Sequence, residues 1–412
     1  MRELGARTPA WQTSLTTQIK NVMNEYDKSP FNPVLYQTIS GKVEGVFGWV
    51  AANYTVGANT FPSDAAVNAG RGHNYLEMGG QTMQLALCTT VHPAGNPVPP
   101  LRIKIGPRLY ELLAHCWEDR GADAVWRKHL DNLYGPAHPP NGVRGVLPAS
   151  ATANNCLPKD AHDPKLVDYP ASGRFIECIH DCLWLAGSHH QVGSTMNVRQ
   201  PGFLIREHLP AESRNSVNAQ THWVGTATFY YGPRGVFLNP TTSVNTITLF
   251  QEASQVHTTS YAASRQAMLD AATAEIASAN STENEADKAR YRGSAAAHQD
   301  ASNYLWRAIF NAVYTSVTLH NGFGFKFILA NAGNTTARTN LISEIYNALP
   351  GEQRNLRDTL TQFLDRSITD APGQQNAKTY TIIDPDTKPW AMGAALVWAC
   401  NGDNIFKPLV EV

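Results

Sequence analysis

Apolar residues recur at helical spacing in the first part of the chain. Within residues 13–26 they fall three or four positions apart, which predicts an amphipathic helix, and residues 46–56 carry enough Phe, Trp, Val and Ala to form a buried helix. The same period predicts a helix over 110–133, interrupted or bent near Gly121, and another over 174–186.

The second half continues the helical pattern. Residues 249–299 are rich in alanine and polar residues, which predicts a surface helix pair whose middle, 278–287, is a mobile loop. An apolar helix is predicted over 303–319, ending at His320-Asn-Gly322, because glycine is typical of a helix C-terminus. Further helices are expected at 341–364, which is polar, and at 389–400, which begins with proline and is apolar nearly all round.

Short apolar and aromatic runs predict strands between these helices. Two of them, 85–91 and 101–105, flank a proline-rich turn and are predicted to pair with each other. The stretch 134–173, which holds Cys156, is predicted to be a long irregular insertion, and the polar stretch 188–200 is predicted to be a loop. The remaining strands are predicted at 34–40, which leads into a loop with Glu44, and at 221–231 and 379–383.

Composition and charge narrow the function classes. The 412-residue chain carries 33 basic and 34 acidic residues, a net charge of −1, and has no basic run with interleaved aromatic residues. Nucleic acid is therefore not an expected partner. The length favours two lobes or one large domain with insertions, and it is sufficient to bury a sizeable core.

The cysteines and sequons bear on the compartment. The six cysteines lack the paired spacing of a zinc site, since Cys178 and Cys182 form an isolated four-residue step. Asn-X-Thr sequons at Asn53, Asn280 and Asn334 would suit a secretory lumen, although sequons also arise by chance. No signal peptide opens the chain and no apolar run approaches the ~20 residues that span a bilayer, so we expect a soluble chain without a membrane span.

Two glycine-containing segments carry the candidate chemistry. In the first, 39–57, Glu44 lies between glycines and a bulky apolar run, where a carboxylate can be held near a ligand. In the second, 75–87, an apolar segment runs into Glu77 and the Gly79-Gly80 pair, whose backbone N–H groups could approach a phosphate closely. Taken alone, each segment is better explained by a structural role, because a Gly-Gly pair after a strand is more often a hairpin or bulge.

Several spaced stretches together resemble the apyrase family, the nucleoside triphosphate diphosphohydrolases, and most of all its fungal Golgi-type members. ISGKVEGVFGWVAANYTVG is similar to the segment with the catalytic glutamate, and YLEMGGQTMQ to the second phosphate-binding segment. Six later stretches resemble the same enzymes in the same order: YELLAHCWEDRGADAVWRKHL, NNCLPKDA, SGRFIECI, HWVGTATFYYGPRGVF, TLHNGFGF and PWAMGAALVWA.

The resemblance implies an α/β fold of the actin-like, Hsp70-like (ribonuclease H-like) two-lobed type, with nucleotide bound between the lobes. It also implies hydrolysis of the terminal phosphates of nucleoside di- or triphosphates with Ca²⁺ or Mg²⁺, in the lumen of the Golgi or endomembrane system. Physically, such a site needs amides and a cation to neutralise phosphate and a carboxylate to deprotonate water.

The resemblance also implies site residues. Glu44 matches the water-activating base. Glu77 and Gln84 match the residues that position water and metal, with no direct protein ligand to the metal; Glu77 replaces an aspartate and is one methylene longer. Gly79, Gly80 and Thr82 match the phosphate-binding positions, with Thr82 in place of a serine. Tyr230 matches an aromatic residue that stacks on the base.

Other matched residues are expected to be structural. Trp390, Trp49 and Phe229 are most simply core aromatics, and His320 is expected to be packed or to cap a helix. Cys156 and Cys178 match cysteine-containing stretches of the family and are the disulfide candidates in a lumenal protein.

The family's first phosphate-binding loop has no match in this chain. We therefore expect a domain order of 1–38 as a remnant of the first lobe, 39–388 as the second lobe with insertions near 134–173 and 262–300, and 389–412 as a C-terminal helix and tail. The closing helix would then expose its apolar face. Turnover is expected to be weak or absent, and the alternative is a non-catalytic remnant that binds nucleotide weakly or a protein partner.

Overall fold

The computed structural model describes only part of the chain, and every structural statement below concerns that part. The described residues are 17–18, 39–56, 73–88, 101–105, 108–134, 153–158, 160–161, 171, 174–187, 189–192, 195–198, 204, 222–234, 243–244, 253, 260–325, 327–328, 368–369, 379–382, 391, 393–397 and 410–411.

Helices and strands are interspersed along the described chain. The helices are α1 (Gly41–Val56), α2 (Ala122–Tyr134), α3 (Phe175–Leu185), α4 (Thr228–Arg234), α5 (Tyr261–Ser281) and α6 (Glu285–Val317), which continues into a π-helical turn, Thr318–Gly322. The strands are β1 (Asn74–Met78), β2 (Met83–Cys88), β3 (Leu101–Ile105), β4 (Arg108–Trp117), β5 (His189–Val192), β6 (Thr195–Val198), β7 (His222–Ala227), β8 (Ser243–Val244), β9 (Phe327–Ile328), β10 (Ile368–Thr369), β11 (Thr379–Ile382) and β12 (Val410–Glu411).

A mixed sheet organises the molecule. Its strands follow the order β12-β3-β4-β2-β1-β7-β11-β8. β1 pairs antiparallel with β2, which pairs antiparallel with β4, whereas β7 and β11 run parallel to β1. Between the parallel neighbours β7 and β11 the chain forms α4, α5 and α6, as parallel strands require a long crossover. This mixed α/β arrangement is compatible with the actin-like nucleotidase fold expected from the sequence.

The sheet has two covered faces. Because successive strand residues point to opposite sides, Tyr75, Ala86 and Val224 lie on one face, packed with apolar residues of α1. We call this the front face. Leu76, Leu85 and Trp223 lie on the other, the back face, which packs against a larger core. Apolar residues of α2, α3, α4 and α6 build that core.

Glycines set the distance between α1 and the sheet. A Cβ atom on Gly48 would lie 2.1 Å from Cε1 of Tyr75, and one on Gly45 would lie 3.3 Å from Cβ of Gln84. On the outer side of α1, a Cβ on Gly393 would lie 1.8 Å from the Phe47 carbonyl oxygen. The Gly45 and Gly48 positions therefore bring the backbone of α1 directly onto β1 and β2.

Several predicted elements are confirmed. The helix predicted at 174–186 is α3, the strands predicted at 101–105 and 379–383 are β3 and β11, and the helix predicted at 46–56 lies within α1. Trp49 and Phe229 are buried, as expected for core aromatics. His320 is also fully buried, and its Nδ1 contacts the Phe325 carbonyl oxygen.

α1 begins earlier than predicted, so Glu44 lies in its first turn and not in a loop. The Ser40 side chain accepts a hydrogen bond from the Val43 N–H (3.3 Å), and the Ser40 carbonyl accepts one from the Glu44 N–H (3.0 Å). The Val43 contact gives a partner to an N–H group that has none inside the helix, and the Glu44 contact is the first regular hydrogen bond of the helix. Serine thus starts the helix before the apolar run that predicted it.

The prediction of a helix over 110–133, interrupted or bent near Gly121, is wrong in its first half and right in its second, where α2 begins at Ala122. Residues 108–117 form β4, which lies between β2 and β3 and pairs with both, so β2 and β3 are not neighbours as predicted. An apolar run such as Leu112–Ala114 fits a buried strand as well as a helix, and only its pairing with residues distant in sequence decides between them.

Four further predictions of element type or boundary are wrong. Residues 188–200 contain the hairpin of β5 and β6, and the strand predicted at 221–231 ends at Ala227, where α4 takes over. The helices α5 and α6 are joined at 282–284, where Asn284 caps α6, and not by a loop over 278–287. Gly322 does not end the helix as predicted, because it belongs to the π-helical turn. Gly324, two residues later, has a positive φ (76°).

Asn53 has a structural role. Its Nδ2 donates to the carbonyl oxygens of Trp49 (3.0 Å) and His73 (2.9 Å), and its Oδ1 accepts from the His73 N–H (3.0 Å). The residue is 1% exposed. The Asn53 side chain is therefore used in internal hydrogen bonds that join α1 to the start of β1.

The described part of the closing segment is covered. Val397 is fully buried with the apolar residues of α1, so the described residues of this segment do not leave a wholly exposed apolar face as expected. None of the described helices is long and apolar enough to cross a membrane. The predicted strand 34–40 (apart from 39–40), the helices 13–26 (apart from 17–18) and 341–364, and Trp390 lie outside the described residues.

Candidate active site

Glu44 and Gln84 meet where α1 begins over the sheet. The Gln84 side-chain Nε2 donates to Oε2 of Glu44 at 2.8 Å and to Oγ1 of Thr82 at 3.1 Å. Gln84 is 1% exposed, whereas Glu44 is half-buried. The Gln84 Oε1 atom is buried and has no hydrogen-bond partner among the described residues. The two segments singled out in the sequence are therefore in direct contact.

A row of polar residues crosses the central strands of the front face. The strand register places Glu77 of β1 opposite Gln84 of β2 on one side and opposite Thr226 of β7 on the other. Directly opposite residues in neighbouring strands have Cβ atoms about 5 Å apart. Gln84, Glu77 and Thr226 form what we call the polar row. It places Glu77 beside Gln84, the residue that contacts Glu44.

Tyr75 supports the polar row from within the front face. Its hydroxyl lies 3.0 Å from Oε2 of Glu77 and 2.8 Å from Oγ1 of Thr226. Burial, and then the charge of Glu77, raise the pKa of Tyr75 well above its ordinary value. Tyr75 therefore remains a neutral hydrogen-bond donor over the physiological pH range.

The Gly79-Gly80 turn closes a hairpin, which is one of the alternatives that the sequence left open. The Gly79 N–H donates to the Thr82 carbonyl oxygen at 2.9 Å. The carbonyl oxygens of Gly79 and Gly80 accept hydrogen bonds of 2.8–2.9 Å from N–H groups in the first turn of α2. The turn thus supplies acceptors for the α2 N-terminus. Phosphate binding by the Gly79 and Gly80 amides and Thr82 stays a prediction.

Tyr230 is not part of this cluster. It lies in α4, is 5% exposed, and packs in the core of the back face. The neighbouring Tyr231 ring, 5.2 Å away between centroids, is 48% exposed. The stacking role predicted for Tyr230 stays a prediction, and the ring that reaches solvent at this position is Tyr231.

The sequence interpretation missed Tyr75 and Thr226. Tyr75 had a local signal, because it lies two residues before Glu77 in a strand and so shares its face. Thr226 had none, since only the parallel pairing of β1 with β7 brings it to Glu77 across about 150 residues of sequence.

The predicted disulfide is confirmed, and it lies on the back face. Cys156 and Cys178 are bonded, with Cα atoms 4.7 Å apart. The free Cys182 thiol nearby is fully buried, and burial raises its pKa well above the ordinary value. The Nε2 atom of His129 is hydrogen-bonded to Oδ1 of Asn154 (2.9 Å), and burial lowers the pKa of His129. Although His129 and Asp181 lie near these sulfurs, two of the three thiols are used in the covalent bond.

Comparison with known proteins identifies relatives of the chain. No family model matches it. It is similar to probable apyrase 3 of Arabidopsis thaliana (28% identical over 207 residues, 47% of this chain and 38% of that protein). It is also similar to probable apyrase 5 of the same plant (26% identical, 45% of this chain and 41% of that protein) and to human ectonucleoside triphosphate diphosphohydrolase 2 (27% identical, 32% and 26%).

These matches span between about a quarter and two fifths of the length of each of these relatives. They agree with the resemblance carried by the Glu44 and Glu77 segments. The chain is therefore a relative of the apyrases and ectonucleoside triphosphate diphosphohydrolases.

Proposed function

We propose that the cluster of Glu44, Gln84 and Glu77 hydrolyses the terminal phosphate of nucleoside di- or triphosphates. The observation that supports this most directly is the contact of Gln84 with Glu44 at one end of the polar row and its register with Glu77. Gln84 thus touches one acidic residue, from the first segment, and neighbours another across the sheet, and the relatives of the chain bear the names of nucleotide phosphohydrolases.

The fold supports the same proposal. Strands β4, β2 and β1 are antiparallel, and β7 and β11 continue the sheet parallel to β1. We take this five-strand order as the ribonuclease H-like core of one lobe of an actin-like nucleotidase. In this arrangement the Gly79-Gly80 turn and α4 follow the ends of two adjacent parallel strands, which is where α/β sheets bind ligands.

Glu44 is the proposed general base. Its carboxylate is oriented by the hydrogen bond from Gln84 and is half-buried, so it retains access to solvent. A carboxylate held in this way can take a proton from an attacking water molecule, a contribution of typically 10²–10⁴-fold in rate.

Gln84 is the proposed water-positioning residue. Its Nε2 is used by Glu44 and Thr82, which leaves Oε1 as a buried acceptor beside the carboxylate. A buried acceptor without a donor costs about 1–3 kcal/mol, so a water molecule that donates to it is favoured there. One water that donates to Gln84 Oε1 and to Glu44 would be aligned and ready to lose a proton.

The donor set also suits Ca²⁺ or Mg²⁺. Both cations prefer oxygen ligands and keep bound waters, and the Glu77 carboxylate can accept hydrogen bonds from such waters while Gln84 Oε1 stays with the attacking water. Glu77 would hold the hydrated cation, which when bound neutralises charge on the phosphates. Two carboxylates beside a polyanionic substrate would otherwise repel it, so we expect the activity to require a divalent cation.

The test is phosphate release from UDP, GDP and ATP by the purified chain with Ca²⁺, with Mg²⁺ and with EDTA. We expect cation-dependent release that falls at least about 100-fold in Glu44→Gln, because the amide cannot accept the proton. Glu111→Gln is the matched control, since Glu111 lies on β4 beside Arg102 and away from the polar row.

Thermal unfolding should be nearly the same for the wild type and Glu44→Gln. Equal release by the wild-type chain and Glu44→Gln would remove Glu44 as the base. No release from any nucleotide, together with no thermal shift on adding nucleotide and cation, would reject the proposed function.

A further inference from the structure

The buried hydroxyls of Tyr75 and Thr226 form a short chain that ends on Glu77. Tyr75 is fully buried and Thr226 is 1% exposed, while Glu77 is partly exposed. The Tyr75 oxygen lies 2.8 Å from the Thr226 Oγ1 and 3.0 Å from the Glu77 Oε2. Two of the three residues are thus inside the protein and the third reaches its surface.

The direction of these hydrogen bonds follows from proton counting. An ionised carboxylate accepts only, and a tyrosine hydroxyl has one proton. The Tyr75 O–H must therefore donate to Glu77, and the Thr226 O–H donates to the Tyr75 oxygen.

The surrounding chain holds the Tyr75 ring in place. A Cβ atom at Gly48 would lie 2.1–2.6 Å from three atoms at the hydroxyl end of the ring, so the backbone of α1 passes directly over it. Thr226 is also fixed, since β7 pairs with β1 on one side and with β11 on the other. The hydroxyl that contacts Glu77 is therefore pre-organised by both the helix and the sheet.

We propose that Tyr75 is a positioning residue that, oriented by Thr226, holds the Glu77 carboxylate in one orientation toward the bound cation and nucleotide. This inference rests on the proposed function. A glutamate has one more rotatable bond than the aspartate to which this position corresponds in the apyrase resemblance. The Tyr75 hydroxyl removes that additional freedom, and a shorter aspartate side chain would not need it.

The test separates positioning from simple stability. Tyr75→Phe and Thr226→Val each remove a hydroxyl and keep most of the side-chain shape. We expect each to weaken binding of the Ca²⁺ complex of guanosine 5′-(β,γ-imido)triphosphate about tenfold in calorimetry, as loss of partners behind metal-site carboxylates typically costs 10–100-fold. Binding of the same analogue in EDTA should be unchanged.

A double-mutant cycle tests the link to Glu77. In the Glu77→Asp background, Tyr75→Phe should change the Ca²⁺-dependent affinity less than about twofold, because the partner is then out of reach. For phosphate release, Tyr75→Phe should lower kcat/KM about tenfold or more. Tyr314→Phe is the control: it removes a buried hydroxyl on the back face and should leave both readouts unchanged.

Three results decide between the two proposals. Ca²⁺-dependent binding that is equal in the wild type and Tyr75→Phe would overturn the positioning role even if nucleotide is hydrolysed. Coupling of Tyr75 to Glu77 in binding, without phosphate release by the wild type, would support the positioning role and reject the hydrolytic function. Absence of Ca²⁺-dependent binding by the wild-type chain would overturn the positioning role.

Discussion

The two faces of the sheet differ in what lies at their centres. On the back face, α2 and α6 bring together rings of Trp126, Phe310 and Tyr314, all nearly or fully buried. On the front face, α1 covers apolar side chains but meets the polar row at its first turn, with Glu44 against Gln84. Both faces are built by the same strands, whose alternating residues point to opposite sides.

Stability and chemistry are thus separated across one sheet. The back face contains the disulfide and the edge-to-face and stacked rings, which favour one rigid packing. The front face instead holds carboxylates and an amide, whose burial is tolerated because the amide and hydroxyl donors around them make hydrogen bonds. Substitutions on the two faces should therefore have different consequences.

Phe310→Ala should have the largest effect on stability. Phe310 is fully buried, and its ring centroid lies 4.8 Å from that of Trp126 and 5.9 Å from that of Tyr314. Removal of a buried phenyl ring costs about 3–5 kcal/mol, through lost burial and the cavity left behind. Denaturant unfolding measures this loss, and Phe310→Leu should lose much less. A loss equal to that of Glu44→Gln would contradict the contrast between the faces.

Gly48→Ala should disturb the front face by a smaller amount. The added methyl would overlap the Tyr75 ring, and overpacking of this kind costs about 1–3 kcal/mol. Displacement of Tyr75 should also lower phosphate release. Gly293→Ala is the control in α6, because nothing lies within 4 Å of the added Cβ, and it should stabilise the protein by about 0.5–1 kcal/mol. Equal shifts of the denaturation midpoint in Gly48→Ala and Gly293→Ala would argue against close packing of α1 on the sheet.

The smallest expected effect is a change of the free energy of unfolding with pH, which comes from His129 on the back face. Burial lowers its pKa from the ordinary 6.5, against the opposing charge of Asp181. The unfolded chain therefore binds a proton more readily than the folded one. The free energy of unfolding keeps its whole His129 contribution above pH 6.5 and decreases as the pH falls below 6.5, by at most about 1.4 kcal/mol per pH unit.

Denaturant unfolding between pH 5 and pH 7.5 measures the His129 contribution. His129→Gln should remove this part of the slope, while the partly exposed His180→Gln should keep it. An unchanged slope in His129→Gln would show that another group is responsible.

Local patterns predicted the parts of the site that lie within short segments. The glycine spacing around Glu44 and the Glu77-Met-Gly-Gly run marked both segments before their contact was known. The sequence could not show that Gln84 Nε2 joins them, since this contact spans 40 residues and depends on how α1 crosses β2. It also gave no sign of Thr226, whose place beside Glu77 is a product of the β1–β7 pairing.

The fold was predictable to a similar extent. α3 and β11 follow from period and composition alone, because each is bounded by residues that break its pattern. Residues 108–117 were assigned wrongly because an apolar run satisfies either a strand or a helix in isolation. Hydrogen bonds to β2 and β3 on both sides settle the matter in favour of the strand.

Residues close together in the chain were sufficient to predict the types of most central elements, the burial of Trp49 and Phe229, and the two acidic segments. The pairing of distant residues was needed to establish that β4 divides β2 from β3, that Tyr230 is buried while Tyr231 is half-exposed, and that Tyr75 and Thr226 lie behind Glu77. Strand order and register are set by contacts between distant residues, and those contacts decide which side chains share a face.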